Sequence, residues 1–105
     1  MSDLRRIEVA CPDLATAEAI ARTLVEERLA ACATVTPGQR SCFRWEGVLQ
    51  QTDEVGLHLK TRLARVDACL RRIAALHPDR IPGILVQVVE APPSFAQWIR
   101  DETAR

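Results

Sequence analysis

Two long extended arms on either side of a tight turn dominate the middle of the chain. The first arm runs from about Ala31 to Trp45 and is interrupted by Pro37-Gly38. Glu46-Gly47 predicts a two-residue hairpin turn, because glycine adopts a positive φ without steric cost. The return arm covers Val48–Thr61. Each arm has about fourteen residues, against ~5–6 in a typical strand, so the hairpin is expected to extend past the layer that packs on it.

The side chains of this hairpin predict both a bulge and an uncovered surface. Proline and glycine inside a strand usually mark a bulge or bend, so one is expected at Pro37-Gly38. The return arm alternates, with Val55, Leu57 and Leu59 on one face and, on the other, Glu54, Gly56, His58 and Lys60. Because the hairpin overshoots a two-helix layer, we expect four apolar residues to need a partner: Val55, Leu57, Phe43 and Trp45. Open strand edges and an uncovered apolar face predict an obligate oligomer.

The flanking segments complete the order β-α-β-β-α-β followed by a last helix. A short strand covers Ile7–Cys11, and Asp13 supplies a side-chain oxygen to cap the helix behind it. A second amphipathic helix covers about Leu63–Leu76, and the apolar run Ile84–Val89 predicts a central strand. This order is the ferredoxin-like split β-α-β arrangement, an α+β sandwich with an antiparallel sheet and both main helices on one face. We expect residues 1–105 to form a single domain.

The helices are predicted to bury apolar faces, because their apolar side chains recur at three- and four-residue spacing. The last helix is expected to begin with a capping-box pair, Ser94 and Gln97. The outer face of the second helix is expected to be basic and solvated, with Arg62, Arg65, Arg71 and Arg72. The residues expected to face inward are Leu14, Ala17, Ile20, Ala21, Leu24 and Val25 in the first helix, Val66, Cys69, Leu70, Ile73 and Leu76 in the second, and Phe95, Trp98 and Ile99 in the last.

Charge, cysteine usage and motifs restrict the function. Fourteen basic side chains balance fourteen acidic ones, so binding to nucleic acid or to an anionic membrane is not expected. No membrane span and no signal peptide are recognisable, which predicts a cytoplasmic protein. The four cysteines form no CxxC pair, and we expect reduced thiols that act as small buried hydrophobic residues. No GxSxG turn, phosphate-binding glycine loop or Cys–His pair at usable spacing is present, so the chain is predicted not to be an enzyme.

Three residues are candidates for binding on chemical grounds. His77 stands in LHPDRIPG, where it is either a metal ligand or a helix C-terminal residue whose imidazole bonds the last carbonyls. Lys60 is the only lysine and is expected beside a cleft at a strand-to-helix junction. There it either forms an intersubunit salt bridge, to Glu54 or Glu46 for example, or binds an anion. Trp45 is expected to anchor an interface.

Five stretches of sequence, in register, resemble one protein family. They are RLAACATVTPG at 28–38, SCFRWEG at 41–47, EVGLHLKT at 54–61, the HP and later P of 77–82, and FAQWI at 95–99. In this order they resemble CutA, the family of divalent-cation tolerance proteins, over about residues 7–99. The resemblance implies a ferredoxin-like fold and a tight homotrimer built by the long hairpins. It also implies an architecture similar to the PII signalling proteins, with clefts between subunits.

The resemblance further implies where a metal would bind. Some members of the family bind copper through a cysteine in the first strand and histidines just before the proline. That cysteine position falls on Val9 here, with Cys11 two residues later, and the histidine pair corresponds to Leu76 and His77. The candidate ligands for copper or another divalent cation are therefore His77 and Cys11, with Asp79 nearby. Because so few ligands remain, we expect any affinity at His77 to be weak, and no cofactor is required.

Two functions follow from these observations. The first is divalent-cation tolerance, carried out by a homotrimer that responds to metal ions. The second is that of a small-molecule-sensing or scaffolding trimer of PII-like architecture. Its ligand would lie in the intersubunit cleft near Trp45, Glu54 and Lys60.

Overall fold

The central hairpin is the longest feature of the molecule. In the computed structural model, which describes residues 2–104, strand β2 spans Cys32–Trp45 and strand β3 spans Val48–Arg62. They contain 14 and 15 residues, so the predicted length of the hairpin is confirmed. The longest dimension of the molecule is 44 Å, against 26 and 23 Å in the other two directions.

The turn and the bulge of the hairpin also form as predicted. Trp45 pairs with Val48, and the two residues between them have φ values of 49° at Glu46 and 82° at Gly47. Both lie in the left-handed region that a tight two-residue turn requires. The pairing register shifts between Thr36 and Gln39, which places the bulge at Pro37-Gly38. Beyond the bulge, β2 pairs with a part of β3 that β1 does not reach, so the outer half of the hairpin continues past the rest of the sheet.

Two shorter strands complete an antiparallel sheet. Strand β1 covers Leu4–Cys11 and pairs with β3, and strand β4 covers Ile84–Val88 and pairs with β1. The order is β2-β3-β1-β4, so the prediction of a central strand at Ile84–Val89 is wrong and β4 is an edge strand. Leu85 and Val88 are 60% and 54% exposed. A run of apolar residues signals that a strand needs cover, but it does not say whether the same chain provides it.

The helices lie where the sequence places them. Helix α1 covers Leu14–Glu26, and its N-cap Asp13 accepts a hydrogen bond from the backbone of Thr16 at 2.7 Å. A single 3₁₀ turn at Leu63–Arg65 leads into helix α2 at Val66–Leu76. Together with the sheet, they form the predicted α+β ferredoxin-like sandwich. No helix within residues 2–104 is long and apolar enough to cross a membrane.

The main core lies between α1, α2 and one face of the sheet. Val55 and Leu57 belong to it and are only 8% and 1% exposed, so the expectation that they need a partner subunit is wrong. The helices of the same chain already cover them. Phe43 and Trp45, nearer the tip of the hairpin, remain 39% exposed. The other buried members of this core are Ile7, Val9, Cys11, Ala17, Ile20, Leu24, Ala30, Leu59, Cys69 and Ile73.

The last helix, α3, covers Pro93–Glu102 and differs from its prediction in two respects. It begins at Pro93 without a side-chain cap, so Ser94 and Gln97 are not a capping box. Proline suits the first helical position, because its φ is already helical and no N–H is needed there. Ile99 is buried with Ala96, but Phe95 and Trp98 are 41% and 42% exposed. These two rings stack on each other, with centroids 5.6 Å apart.

Three further expectations about side chains are corrected. Leu14 and Val25 lie at the two ends of α1 and are exposed rather than buried, at 44% and 38%. Cys42 is exposed on β2, where the hairpin has passed the helices, whereas Cys11 and Cys69 are buried as predicted. The basic face of α2 is not simply solvated. Three of the four predicted arginines form bonds within the chain, Arg62 and Arg65 to the end of α3 and Arg72 to Glu27, whereas Arg71 is exposed as predicted.

Candidate functional site

The face of the sheet opposite α1 and α2 carries two adjoining grooves. The first has a volume of about 670 Å³. We call it the sheet groove, and its walls include Arg6, Glu8, Glu54, Gly56, His58 and Leu85. The second has a volume of about 840 Å³ and reaches toward the tip of the hairpin. We call it the tip groove, and its walls include Phe43, Trp45, Glu46, Glu54, Asp79 and Arg80.

Strand alternation places these side chains on one face. Successive strand residues point to opposite sides, so Glu54, Gly56 and His58 turn away from the core that holds Val55 and Leu57. In β2, beyond the bulge at Pro37-Gly38, the side chain of Ser41 faces the same groove as Glu54. The segment after α2 supplies Asp79 and Arg80 as the far wall of the tip groove.

The sheet groove contains charges of both signs. Arg6 Nη1 donates to Glu8 Oε1 at 2.9 Å and to Gln87 Oε1 at 2.7 Å. Beside them, Lys60 Nζ lies 3.4 Å from His58 Nε2. Burial lowers the pKa of His58, and the nearby charges of Lys60 and Arg6 lower it further, whereas Glu8 acts in the opposite direction. The imidazole therefore stays neutral to a lower pH than that of a free histidine.

The tip groove combines an aromatic wall with carboxylates. The guanidinium carbon of Arg80 lies 5.7 Å from the centre of the Trp45 ring, within the range of a cation–π contact. Glu54 Oε1 accepts a hydrogen bond from Ser41 Oγ, which fixes the orientation of the carboxylate. Sequence reasoning missed Arg80. The signal that could have found it is an arginine confined between two prolines, Pro78 and Pro82.

The structure brings together only part of the predicted cleft. Trp45 and Glu54 line the same groove. Lys60 does not, because it pairs with Cys32 and Arg6 near the other end of β3. The stretch of β3 from Val48, the partner of Trp45, to Lys60 is roughly 40 Å long at ~3.3 Å per residue. Within one protomer, Trp45 and Lys60 cannot contact the same small ligand.

His77 is the C-cap residue of α2, as predicted, but its imidazole is buried against strand β1. Its Nε2 lies 2.7 Å from the carbonyl oxygen of Ala10, and its Nδ1 accepts a hydrogen bond from the backbone N–H of Asp79 at 3.1 Å. A carbonyl can only accept, so Nε2 carries the proton and the ring is neutral. The expectation that the imidazole bonds the last carbonyls of the helix is therefore wrong. Both ring nitrogens are engaged, and neither offers a free lone pair to a metal.

Cys11, the other predicted ligand, ends strand β1 next to Ala10 and is fully buried. Burial raises the pKa of its thiol to about 11, and the carboxylates of Asp13, Asp79 and Glu54 add to the rise. A metal is bound by the thiolate, so this thiol is a poor ligand at neutral pH. No group of three or more His, Cys, Asp or Glu in the described part of the chain is placed to hold a metal. The residues present do not form a ready-made copper site, and binding there stays a prediction.

Comparison with known proteins identifies relatives along nearly the whole chain. A family model described as CutA1 divalent ion tolerance protein matches residues 6–102. The crystal structure of CutA from Xylella fastidiosa has a TM-score of 0.93 and 45% identity, and the match covers 97% of this chain and 99% of that one. The divalent-cation tolerance protein CutA of Escherichia coli is 38% identical over 101 residues, 93% of this chain and 90% of its own length. That of Thermus thermophilus is 35% identical over 96 residues, 90% of this chain and 93% of its own length.

Proposed function

Because this chain belongs to the CutA1 divalent ion tolerance family, we propose that it acts in divalent-cation tolerance as a cytoplasmic, non-enzymatic homotrimer. The family supports the link to divalent cations. The observation that carries the assembly is the apolar surface that one chain leaves uncovered. Phe43, Trp45, Val48 and Leu49 are all exposed around the tip of the hairpin, where no helix of the same chain reaches. Covering such a patch requires another protein surface.

The open edges of the sheet support the same proposal. Strands β2 and β4 are the two edges, and each presents a row of backbone groups that a further strand can pair with. In β4 the apolar residues Leu85, Val86 and Val88 are exposed beside that edge. When one edge of a copy meets a different edge of the next copy, the contact repeats head to tail, and a closed ring satisfies every edge. A ring of this kind contains two or more copies, and the trimer is the next size after the dimer.

Light scattering on the purified protein tests this assembly. We expect three times the 11.7 kDa mass of the chain. Trp45→Asp should lower the average mass, because it places a charge in an apolar contact at a cost of several kcal/mol. Leu14→Asp is the matched control, since Leu14 is as exposed as Trp45 but lies at the start of α1, away from the hairpin. A wild-type protein of monomer mass would refute the proposal.

For the metal itself, we propose weak binding at His77 and Cys11. Two observations support this. Both imidazole nitrogens of His77 are hydrogen bonded, and one of these bonds must break before His77 can bind a metal. The thiol of Cys11 must first lose its proton. In calorimetric titration with Cu²⁺, His77→Ala should lower the affinity by less than the removal of a complete metal site would. His77→Gln serves as a second variant that keeps a donor for Ala10. Submicromolar binding of one Cu²⁺ per chain, abolished by both substitutions, would show that His77 is a genuine ligand.

A second candidate function is the sensing of a small molecule, as in proteins of PII-like architecture. The tip groove favours it, because its volume of about 840 Å³ falls in the range typical of ligand sites. Trp45 and Glu54 would contact the ligand, and Lys60 would do so only from a neighbouring subunit. Calorimetry with Cu²⁺ and then with nucleotides distinguishes the two functions. Heat from the nucleotides and none from the metal would favour the second.

A further inference from the structure

We propose that the outer face of the sheet binds a small tetrahedral oxyanion, sulfate or a phosphate group, between Arg6 and Lys60. Arg6 on β1 and Lys60 on β3 are direct cross-strand partners on the face opposite α1 and α2. We call these two residues the cation pair. The site needs neither a metal nor the tip groove, so the inference goes beyond both functions proposed above.

Lys60 carries a charge that its own chain leaves unbalanced. Within residues 2–104 it forms no ion pair, and its one side-chain hydrogen bond runs to the neutral imidazole of His58, with Nζ 3.4 Å from Nε2. Because an ammonium can only donate, Nε2 accepts this bond, and two N–H groups of Lys60 are left over. Lys60 is half-buried, so water does not surround it completely.

The neighbouring positions on the same face supply a single carboxylate. The side chains across the strands from Lys60 and His58, and the next ones on β4, are Arg6, Glu8, Cys32, Thr34, Gln87 and Leu85. Glu8 is the one carboxylate among them, and it already bonds Arg6 at 2.9 Å. The charge of Lys60 therefore has no counterpart at these positions.

Helix α3 closes one end of this surface without adding a counter-charge. Leu4, the next residue of β1 on the same face, is buried against α3. The two carboxylates of the helix are engaged elsewhere, Asp101 by Gln97 at 2.8 Å and Glu102 by Arg28 at 3.9 Å. An anion beside the cation pair would therefore not compete with a carboxylate of α3.

The imidazole of His58 senses the excess of positive charge. Burial lowers its pKa most, and the charges of Lys60 and Arg6 lower it further, whereas Glu8 acts in the opposite direction. Two cations thus outweigh one carboxylate at this position. Like charges directly across a strand pair also destabilise a sheet, and an anion held between them would remove that repulsion.

Arg6 has donors left for such an ion. Its Nη1 bonds Glu8 and Gln87, whereas its Nε and Nη2 form no hydrogen bond within residues 2–104. A guanidinium presents its N–H groups in a fixed fork, and the ammonium of Lys60 adds a point charge on a flexible stem. This combination suits the several oxygens of sulfate or of a phosphate group.

The site is compatible with the proposed assembly. Strands β1 and β3 are the two inner strands of the sheet, so the cation pair lies on neither edge. The apolar tip around Trp45 is at the opposite end of β3 from Lys60. If a neighbouring subunit also lies over this face, the need for an anion increases, because an unbalanced lysine is costly to bury.

Nuclear magnetic resonance of the intact, assembled protein tests the inference, with sodium chloride replaced by sodium sulfate at constant ionic strength. Sulfate keeps its charge across the titration of a histidine. The imidazole signal of His58 should shift with half-saturation at about 1–10 mM sulfate. The pKa of His58 should rise toward its ordinary value of 6.5, because a nearby anion stabilises the charged ring. His77, which bonds Ala10, is the internal control and should not respond.

Three variants define the site, and light scattering confirms that each is still assembled. Lys60→Gln and Arg6→Gln should each weaken sulfate binding about tenfold, because each removes a charge-assisted contact. Arg71→Gln is the matched control and should have no effect, since Arg71 is exposed on α2. Methyl phosphate, titrated at one fixed pH, separates two sources of the anion. Binding as tight as that of sulfate supports a phosphate group on a larger molecule, and binding at least about tenfold weaker supports a free ion.

Either of two results would overturn the inference. One is a His58 signal that does not move at about 50 mM sulfate, a concentration that bounds even weak binding. A carboxylate of a neighbouring subunit that already balances Lys60 would give this result. The other is binding that Arg71→Gln weakens as much as Lys60→Gln does, which would mean unspecific attraction. Neither result changes the mass of the wild-type assembly or its titration with Cu²⁺, so the proposed functions are tested separately.

Discussion

His58 is the side chain whose protonation should matter most near neutral pH. Its pKa is lowered from the ordinary value of 6.5 by burial and then by Lys60 on β3 and Arg6 on β1, against the opposing charge of Glu8. In the unfolded chain the imidazole returns to its ordinary pKa. The unfolded state therefore binds more protons between the two pKa values, so acidification favours unfolding.

We predict that stability is lost as the pH falls from above 6.5 through the lowered pKa of His58. His58→Gln removes this proton and should make the free energy of unfolding less dependent on pH in that range. The measurement is urea unfolding of both proteins at about pH 7.5 and at about pH 5.5, at one fixed protein concentration. An equal loss of stability in wild type and His58→Gln would mean that another group senses the pH.

His77 and Cys11 show how far single residues can be predicted from sequence. The family resemblance paired them as candidate ligands, and the imidazole of His77 does reach the carbonyl of Ala10, the residue before Cys11 at the end of β1. The hydrogen bonds of the imidazole could not be predicted, because they depend on how the segment after α2 crosses β1. Neither could the pKa of the thiol, which follows from the depth of its burial.

At the tip of the hairpin, one residue does not suit the backbone conformation that it adopts. Both turn residues have positive φ, which suits Gly47 but costs Glu46 energy. We predict that Glu46→Asn stabilises the protein by about 0.5 kcal/mol, because asparagine adopts this conformation more readily. Gly47→Ala should destabilise it by about 1 kcal/mol.

Denaturant unfolding of the two turn variants beside wild type checks this pair. An alanine at Gly47 meets no packing obstacle, since nothing lies within 4 Å of a Cβ built there. The effects should therefore come from the backbone alone. A neutral Gly47→Ala would contradict a positive φ at that residue.

A second element-level feature is the clamp on the end of α3. Arg62 and Arg65 both donate to the carbonyl oxygen of Thr103, at 3.0 and 2.7 Å, and Arg65 also reaches that of Ala104 at 2.9 Å. Free carbonyls at a helix C-terminus carry partial negative charge, so cations there are stabilising. The clamp ties the last helix to the end of β3 and the start of α2.

We predict that Arg65→Ala lowers the free energy of unfolding by about 1 kcal/mol, because it removes two charge-assisted hydrogen bonds and Arg62 replaces part of them. Arg71→Ala is the control, since Arg71 is exposed on α2, the helix that begins directly after Arg65. Hydrogen exchange should show faster opening of α3 in Arg65→Ala only. Equal exchange in both variants would mean that the clamp does not hold the helix.

The buried face of an element was predictable where the same chain covers it. Alternation in β3 identified Val55, Leu57 and Leu59 as one face, and that face is the core. Apolar spacing failed where the same chain supplies no cover, as in the exposed β4 and the exposed pair Phe95 and Trp98. Apolar spacing indicates that a surface must be covered but not which surface covers it. The grooves were not predictable either, because they arise from the distance between β2 and the segment after α2.

At the scale of the whole molecule, a single chain covers only part of its own apolar surface. The layer between α1, α2 and the sheet is a complete core, with twelve buried residues. The outer half of the hairpin, the β4 edge and the stacked pair on α3 are left without cover. If copies of the chain cover these surfaces, folding and assembly are coupled and mass action links stability to concentration.

The melting temperature as a function of protein concentration tests this coupling most directly. In a reversible experiment over about two decades of concentration, we predict that it rises steadily, because each increase favours the assembled state over unfolded chains. Trp45→Asp should melt at a lower temperature and with less dependence on concentration. A melting temperature that stays constant over the whole range would contradict the account and show that a single chain is stable without its copies.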